Sequence, residues 1–215
     1  GWGVEVDPFD PTRPPVKHTA MGRMAHENAA LSAAPDGRVV YYMGDDDFRS
    51  RFEHIYKFVS ARPHVPGGGY DRNQDVLDHG TLYAARFDAD GTGEWIELTQ
   101  GRNGLTPEAG FPSQAEVVTD ARTAGDAVGA TYMDRPEWVA VHPVTKEVFC
   151  TLSNNTARGR GAPFGRDGAL GADAPNPRAP TLMGHVIRWR EADGDPTSTR
   201  FGWDVFVQAG DPEHQ

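Results

Sequence analysis

One pattern occurs twice in this chain, and it limits the fold more than any other feature. Glu27-Asn-Ala-Ala-Leu-Ser, a turn, Val39-Val-Tyr-Tyr-Met-Gly and Asp45-Asp46 align with Glu137-Trp-Val-Ala-Val-His, a turn, Val148-Phe-Cys-Thr-Leu-Ser and Asn154-Asn155. Each copy is a glutamate, a strand, a hairpin turn, a second strand and a pair of Asx residues. Repetition of a supersecondary unit marks an array in which like units pack on one another. In an antiparallel hairpin the start of the first strand and the end of the second lie at the same end. Each glutamate is therefore expected beside its paired Asp or Asn side chains, and two such ends can converge on one cavity.

Further strand candidates follow each hairpin. Apolar runs lie at Val39 to Met43, His54 to Val59, Thr81 to Phe87 and Glu94 to Leu98, then at Val139 to His142, His185 to Trp189 and Phe201 to Gln208. Turn chemistry at Pro35-Asp36-Gly37, Asp88-Ala89-Asp90-Gly91 and Pro143-Val144-Thr145-Lys146 joins several of them, an all-β signature. The strand count of each unit is that of a propeller blade. The expected fold is a partial β-propeller of about two blades plus a flanking strand, with blade-like units at about 23–111 and 129–211 of one domain. One short helix is expected, because Ser113 and Glu116 have capping-box spacing and Val117, Val118, Ala121 and Ala124 share a helical face. Polar loops rich in Gly, Pro and Arg, Arg62 to Asn73 and Thr156 to Pro180, are expected at the surface or over a site. Two blades do not close a ring, so the chain is expected to be an internal piece of a longer one.

Charge narrows the partners. With 31 Asp plus Glu against 21 Lys plus Arg and a net charge of −10, the 215-residue chain lacks the positive field that nucleic acid or an anionic membrane requires. Excess carboxylate suits hard cations, although acidic surfaces also serve solubility. No stretch is long and apolar enough for a membrane span, and the first residues lack the pattern of a signal peptide. The single cysteine, Cys150, sits in an apolar run and is expected to be a buried strand thiol.

Several segments together resemble the PhoX family of bacterial alkaline phosphatases. They are Val-Glu-Val-Asp-Pro near the start, Gly22-Arg-Met-Ala-His-Glu27, Tyr42-Met-Gly-Asp-Asp46, Ile55-Tyr-Lys-Phe-Val-Ser60, Gly80-Thr-Leu-Tyr, Met133-Asp-Arg-Pro-Glu-Trp138, Thr151-Leu-Ser-Asn-Asn155, Asn176-Pro-Arg-Ala-Pro180 and Gly184-His. The similarity runs over nearly the whole chain. It implies a periplasmic or secreted phosphomonoesterase, exported by the twin-arginine route, that uses calcium and iron in the central site of a propeller. It also implies that Glu27 and Glu137 are metal ligands and that Arg135 holds phosphate, so that Arg135 and Glu137 are the candidate catalytic residues. The family further uses a cysteine and carboxylates from a segment expected upstream and ligands from a blade expected downstream. Cys150 is not that cysteine, since it lies in a different motif. The chain alone is therefore expected to bind calcium weakly or not at all, to be inactive or nearly so, and to self-associate through open blade edges.

The residue chemistry agrees with these roles. Phosphate-ester hydrolysis needs charge neutralised at the phosphoryl oxygens and a positioned nucleophile, both of which clustered metals supply. Glu27 and Glu137 suit hard cations, Asp45 and Asp46 are possible further ligands, and Arg135 offers a fork matched to phosphate. Asn154, Asn155 and Arg178 could orient substrate. Plainer readings stand beside these: a solvated strand-end glutamate, an Arg135 pair with Asp134 or a loop carboxylate, a solvated Asp45-Asp46-Asp47 turn, a hydrogen-bonded structural His26, an ordinary hairpin at Asp88–Glu94 and a flexible linker at Gly67-Gly68-Gly69. The tryptophans at 95, 138, 189 and 203 are expected to pack between blades. The rival functions are a non-catalytic calcium-binding propeller and another propeller hydrolase, lactonase or phytase-like.

Overall fold

The structure, a computed structural model, describes residues 1–47, 53–162, 164 and 168–211. Of the expected loop Thr156 to Pro180, residues 163 and 165–167 lie outside the described residues. Strands β1 (Gly3–Glu5) and β2 (Val16–His18) pair as a small separate sheet that flanks the rest. The others are β3 (Ala30–Ala33), β4 (Arg38–Gly44), β5 (Ile55–Pro63), β6 (Gly80–Phe87), β7 (Thr92–Glu97), β8 (Pro136–Val141), β9 (Val148–Leu152), β10 (His185–Glu191) and β11 (Arg200–Gln208). They form one nine-stranded antiparallel sheet in the order β3-β4-β5-β6-β7-β11-β10-β9-β8. Each expected apolar run coincides with a strand except for its end residues His54, Leu98 and His142, and the three turn motifs make the β3–β4, β6–β7 and β8–β9 hairpins.

Two blade-like meanders, β3 to β7 and β8 to β11, make up this sheet. They meet where β7 pairs with β11 through Arg200↔Glu94, Phe201↔Gly93 and Gly202↔Thr92. Gly93 is required at this joint: a Cβ there would lie 2.1 Å from the Phe201 ring. The far edges, β3 and β8, then return toward each other. Asn28, just ahead of β3, closes the gap with its side chain, whose Nδ2 donates to Val139 O (2.7 Å) while its Oδ1 accepts from Val139 N (2.9 Å). An amide side chain thus does the work of a strand residue at the one place where the ladder is open.

Side-chain alternation gives β4 two buried faces. Val40 and Tyr42 enter a core shared by both meanders, with Ile55, Trp95, Ile187 and Trp189. The Trp95 and Trp189 rings sit 5.9 Å apart and edge-on, the favoured arrangement for aromatic pairs. Met43 enters a second core on the opposite face, with Tyr56, Phe58, Leu82 and the helices. Cys150 is fully buried in the shared core, as expected, and burial pushes its thiol pKa up.

That shared core contains an ion pair. Glu191 accepts from Tyr42 Oη at 2.8 Å and Trp95 Nε1 at 2.9 Å and faces Lys57 Nζ at 3.5 Å, while Lys57 also donates to the carbonyls of Pro196 and Ser198. Burial raises the carboxyl and lowers the ammonium pKa. Each charge is compensated by several partners, the condition under which a buried pair is tolerable. Because Lys57, Tyr42 and Trp95 come from one meander and Glu191 from the other, the pair also ties the two halves together. Glu191→Ala is expected to destabilise the protein by about 3–5 kcal/mol, since it strands the ammonium. A urea-unfolding midpoint equal to the parent's would contradict this.

The structure differs from expectation in three places. The single expected helix is two, α2 (Gln114–Thr119) and α3 (Ala121–Ala127), and a further short one, α1 (Gly69–Asn73), lies in the segment read as linker and loop. Ser113 does cap α2, accepting from Ala115 N and bonding Glu116, but Asp120 at φ −119° and ψ 51° leaves helical geometry and divides the run. Trp138 is 63 % exposed rather than packed between blades. It alternates with the inward Val139 and so faces outward from the β8 edge. Finally, the 156–180 loop is not wholly superficial, because Arg158 and Asn176 are buried. Arg158 donates to Asp134 at 2.6 Å and Asn176 accepts from Asp134 N at 2.9 Å, so their polar groups are satisfied inside.

Candidate functional site

The backbone pairing of β3 and β4 continues beyond both strands. Glu27 N donates to Gly44 O and Asp46 N to Ala25 O, each at 3.2 Å, and His26 bridges Asp45. Glu27 and Asp46 therefore share one end of the hairpin, as the repeat predicts. Successive side chains leave opposite sides of an extended segment, so Asp45 and Asp46 diverge.

Glu137 arrives from the other meander. Its strand crosses β4 so closely that a Cβ on Gly44 would lie 2.2 Å from Glu137 O and 2.7 Å from Pro136 O. Only glycine permits that approach. With Asn28 locking Val139 two residues further on, Glu137 is carried to Glu27 and Asp46. Each of these three carboxylates offers an oxygen, and the oxygens lie within 4.8 Å of one another. Burial and the neighbouring negative charge of Asp46 raise the Glu137 pKa above its ordinary value. Such crowding is costly without a cation, and carboxylate oxygens suit hard ones such as calcium. The group contains neither thiolate nor imidazole, which would favour softer metals. The cluster thus fits a hard cation.

Arg135 lies against the cluster. Its Nε and Nη2 donate to the two oxygens of Asp46 at 3.0 and 2.6 Å, its Nη1 to Asn154 Oδ1 at 2.9 Å, and its Nη2 reaches Glu137 Oε1 at 3.4 Å. Asp46, rather than the adjacent Asp134, is its partner. A guanidinium amid carboxylates that could hold a metal is placed to take an anion bound to that metal.

Three candidate residues lie elsewhere. Asp45 is fully buried and its oxygens are committed to Arg122 (Nε 2.7 Å, Nη2 2.6 Å) and Ala25 N (2.8 Å), an anchor for α3 rather than a ligand. Asn155 is buried too: its Nδ2 donates to Asp134 and its Oδ1 accepts from Ala157 N and Arg158 N, bonds that tie it to the start of the 156–180 loop. Arg178 spends its terminal nitrogens on the carbonyls of Ala209 and Gly184, tying the loop to the end of β11. His26 is the hydrogen-bonded structural residue expected, bonding Gly22 O at 3.0 Å.

The repeat is thus asymmetric. In the first copy the second Asx, Asp46, faces the cluster; in the other it is the first, Asn154, through Arg135. Sequence reasoning missed Asn28, Arg122, Arg158 and Glu53. Asn28 adjoins a repeat glutamate, which could have drawn attention to it. For the other three the partners are remote in sequence, and no local signal exists.

Comparison with known proteins places the chain in a family. The sequence model of a family described as alkaline phosphatase PhoX matches residues 1–215. The solved structure of Pseudomonas fluorescens PhoX in complex with vanadate, a transition state analogue, resembles this chain with a TM-score of 0.91 and 51 % identity. The similarity covers 100 % of this chain and 37 % of that one, so the chain spans little more than a third of its relative. No curated protein matches it.

Proposed function

Because the chain belongs to the PhoX family of alkaline phosphatases, we propose that it contributes metal ligands and a phosphate-binding arginine to an enzyme that hydrolyses phosphate monoesters. One observation carries the proposal: Glu27, Asp46 and Glu137 converge on one point beside the Arg135 guanidinium. Glu27, Asp46 and Glu137 would hold the metal, with calcium and iron the expected ions. A metal bound there supplies charge neutralisation at the phosphoryl oxygens and activation of the nucleophile. The chain's own residues do the rest. Arg135 would donate to a phosphoryl oxygen through the second hydrogen of Nη1, while Asp46 and Asn154 orient the guanidinium. The carboxylates stay fixed because their strands are locked by Gly44 and Asn28, so little reorganisation is needed as charge develops.

A vanadate complex of the relative supports a phosphoryl site of this kind. The units 23–111 and 129–211 are taken as adjoining blades of one propeller domain. One oxygen from each of three carboxylates is fewer than the six to eight that calcium takes, so we infer little activity and weak calcium binding for the chain alone. Its exposed Trp138, Phe206 and Val207 support self-association of the isolated chain. A periplasmic or secreted location rests on the family; no helix among the described residues is long and apolar enough to cross a membrane.

Full-length protein supplied with calcium and iron is expected to release phosphate from an aryl phosphate at alkaline pH. Chelation should abolish release and the two metals restore it. Turnover unaffected by exhaustive chelation, or none under any metal supply, would contradict the proposal.

A further inference from the structure

Arg135 has an improbable backbone. Its φ is +51°, a left-handed conformation rare for any residue but glycine, and it precedes Pro136, whose ring further restricts the residue before it. Such a conformation persists only where its surroundings over-determine it. The surroundings here are traceable. Glu53, 4 % exposed, grips the turn at both ends: its carbonyl accepts from Met133 N at 3.0 Å and its side-chain Oε2 from Arg135 N at 3.1 Å. Between these points Asp134 N is held by Asn176, and beyond them Ser153 N donates to Arg135 O at 3.3 Å.

The Arg135 N–H is shared between this carboxylate and Met133 O, each at 3.1 Å, and of the two acceptors the carboxylate is the one on a side chain. A carboxylate accepting from a backbone N–H forms a charge-assisted bond, stronger than a neutral one. We propose that Glu53 is a positioning residue that holds Arg135 in its left-handed conformation and so aims the guanidinium at the Glu27–Asp46–Glu137 cluster. This rests on the reading of Arg135 as the phosphate-binding group. Without the Glu53 side chain the turn can relax toward the extended backbone favoured before proline, which swings the arginine out of line. The Glu53 carboxylate bonds the Arg135 N–H, and its charge also favours the charged guanidinium of the same residue, so its effect is read through Arg135.

The test is a double-mutant cycle in the full-length protein with metals bound, using Arg135→Ala, Glu53→Ala and Glu53→Gln. The readouts are aryl-phosphate kcat and KM, the inhibition constant of inorganic phosphate, and the thermal midpoint. Glu53→Ala is expected to weaken phosphate inhibition and lower kcat/KM by about tenfold or more, the scale of a strained backbone released. Glu53→Gln keeps an acceptor and should recover most of the loss. In the Arg135→Ala background Glu53→Ala should add little, because coupled residues are not additive. A Glu53→Ala loss that persists undiminished in that background, or no loss at all, overturns the positioning role. Full activity in Arg135→Ala alone would instead overturn the phosphate-binding reading on which it rests.

Discussion

Glu137→Gln is expected to lower phosphate release by the full-length enzyme on the order of a thousandfold, with the fold intact. The amide keeps the shape of the side chain and removes its charge, so the change isolates electrostatics from packing. Glu137 sits in β8 with a partly exposed carboxylate that faces Arg135, and glutamine keeps its size while giving up that ion pair. What glutamine does not supply is the third negative charge among oxygens lying within 4.8 Å of each other. Burial and the neighbouring Asp46 charge raise the Glu137 pKa, and glutamine removes the charge that they disfavour. Affinity for calcium should fall together with turnover. Activity within a few-fold of the parent would remove Glu137 from the site.

Gly44→Ala should have an effect of comparable kind without touching any ligand. A methyl group at this position would lie 2.2 Å from Glu137 O, and both nearest atoms belong to the backbone, so β8 must move away. Displacing a catalytic group by about 1 Å can cost on the order of a hundredfold in rate. The overpacking itself should cost about 1–3 kcal/mol of stability. Activity is therefore expected to fall much further than a modest drop in the unfolding midpoint explains. Parent-like turnover would show that the crossing of β4 and β8 does not set the position of Glu137.

The fold was largely legible because period-2 patterning and turn residues are local signals. Val39 to Met43 and Thr81 to Phe87 read as strands from a few residues each, and the repeat alone predicts that Glu27 and Glu137 share one place, where the structure has them. What stayed hidden depends on contacts across the sheet. Nothing in the Asp45-Asp46 dipeptide says which carboxylate faces the cavity; that is decided by Arg122, far along the chain in α3. Asn155 resembled a site residue by its place in the repeat, yet Asp134 and Arg158 claim it. Trp138 looked like core by composition and is exposed by strand alternation at the β8 edge. The break at Asp120 was likewise invisible to a capping-box reading, which signals where a helix starts and not where it stops.

The central claim is that Glu27, Asp46 and Glu137 hold one hard cation beside Arg135. Crystals of the full-length enzyme, with calcium replaced by a lanthanide and data collected at its absorption edge, test it most directly. The account predicts an anomalous peak with an oxygen of each of the three carboxylates at about 2.3–2.6 Å, the range for calcium-like ligation. A fully occupied metal centre from which these three side chains are absent would contradict it.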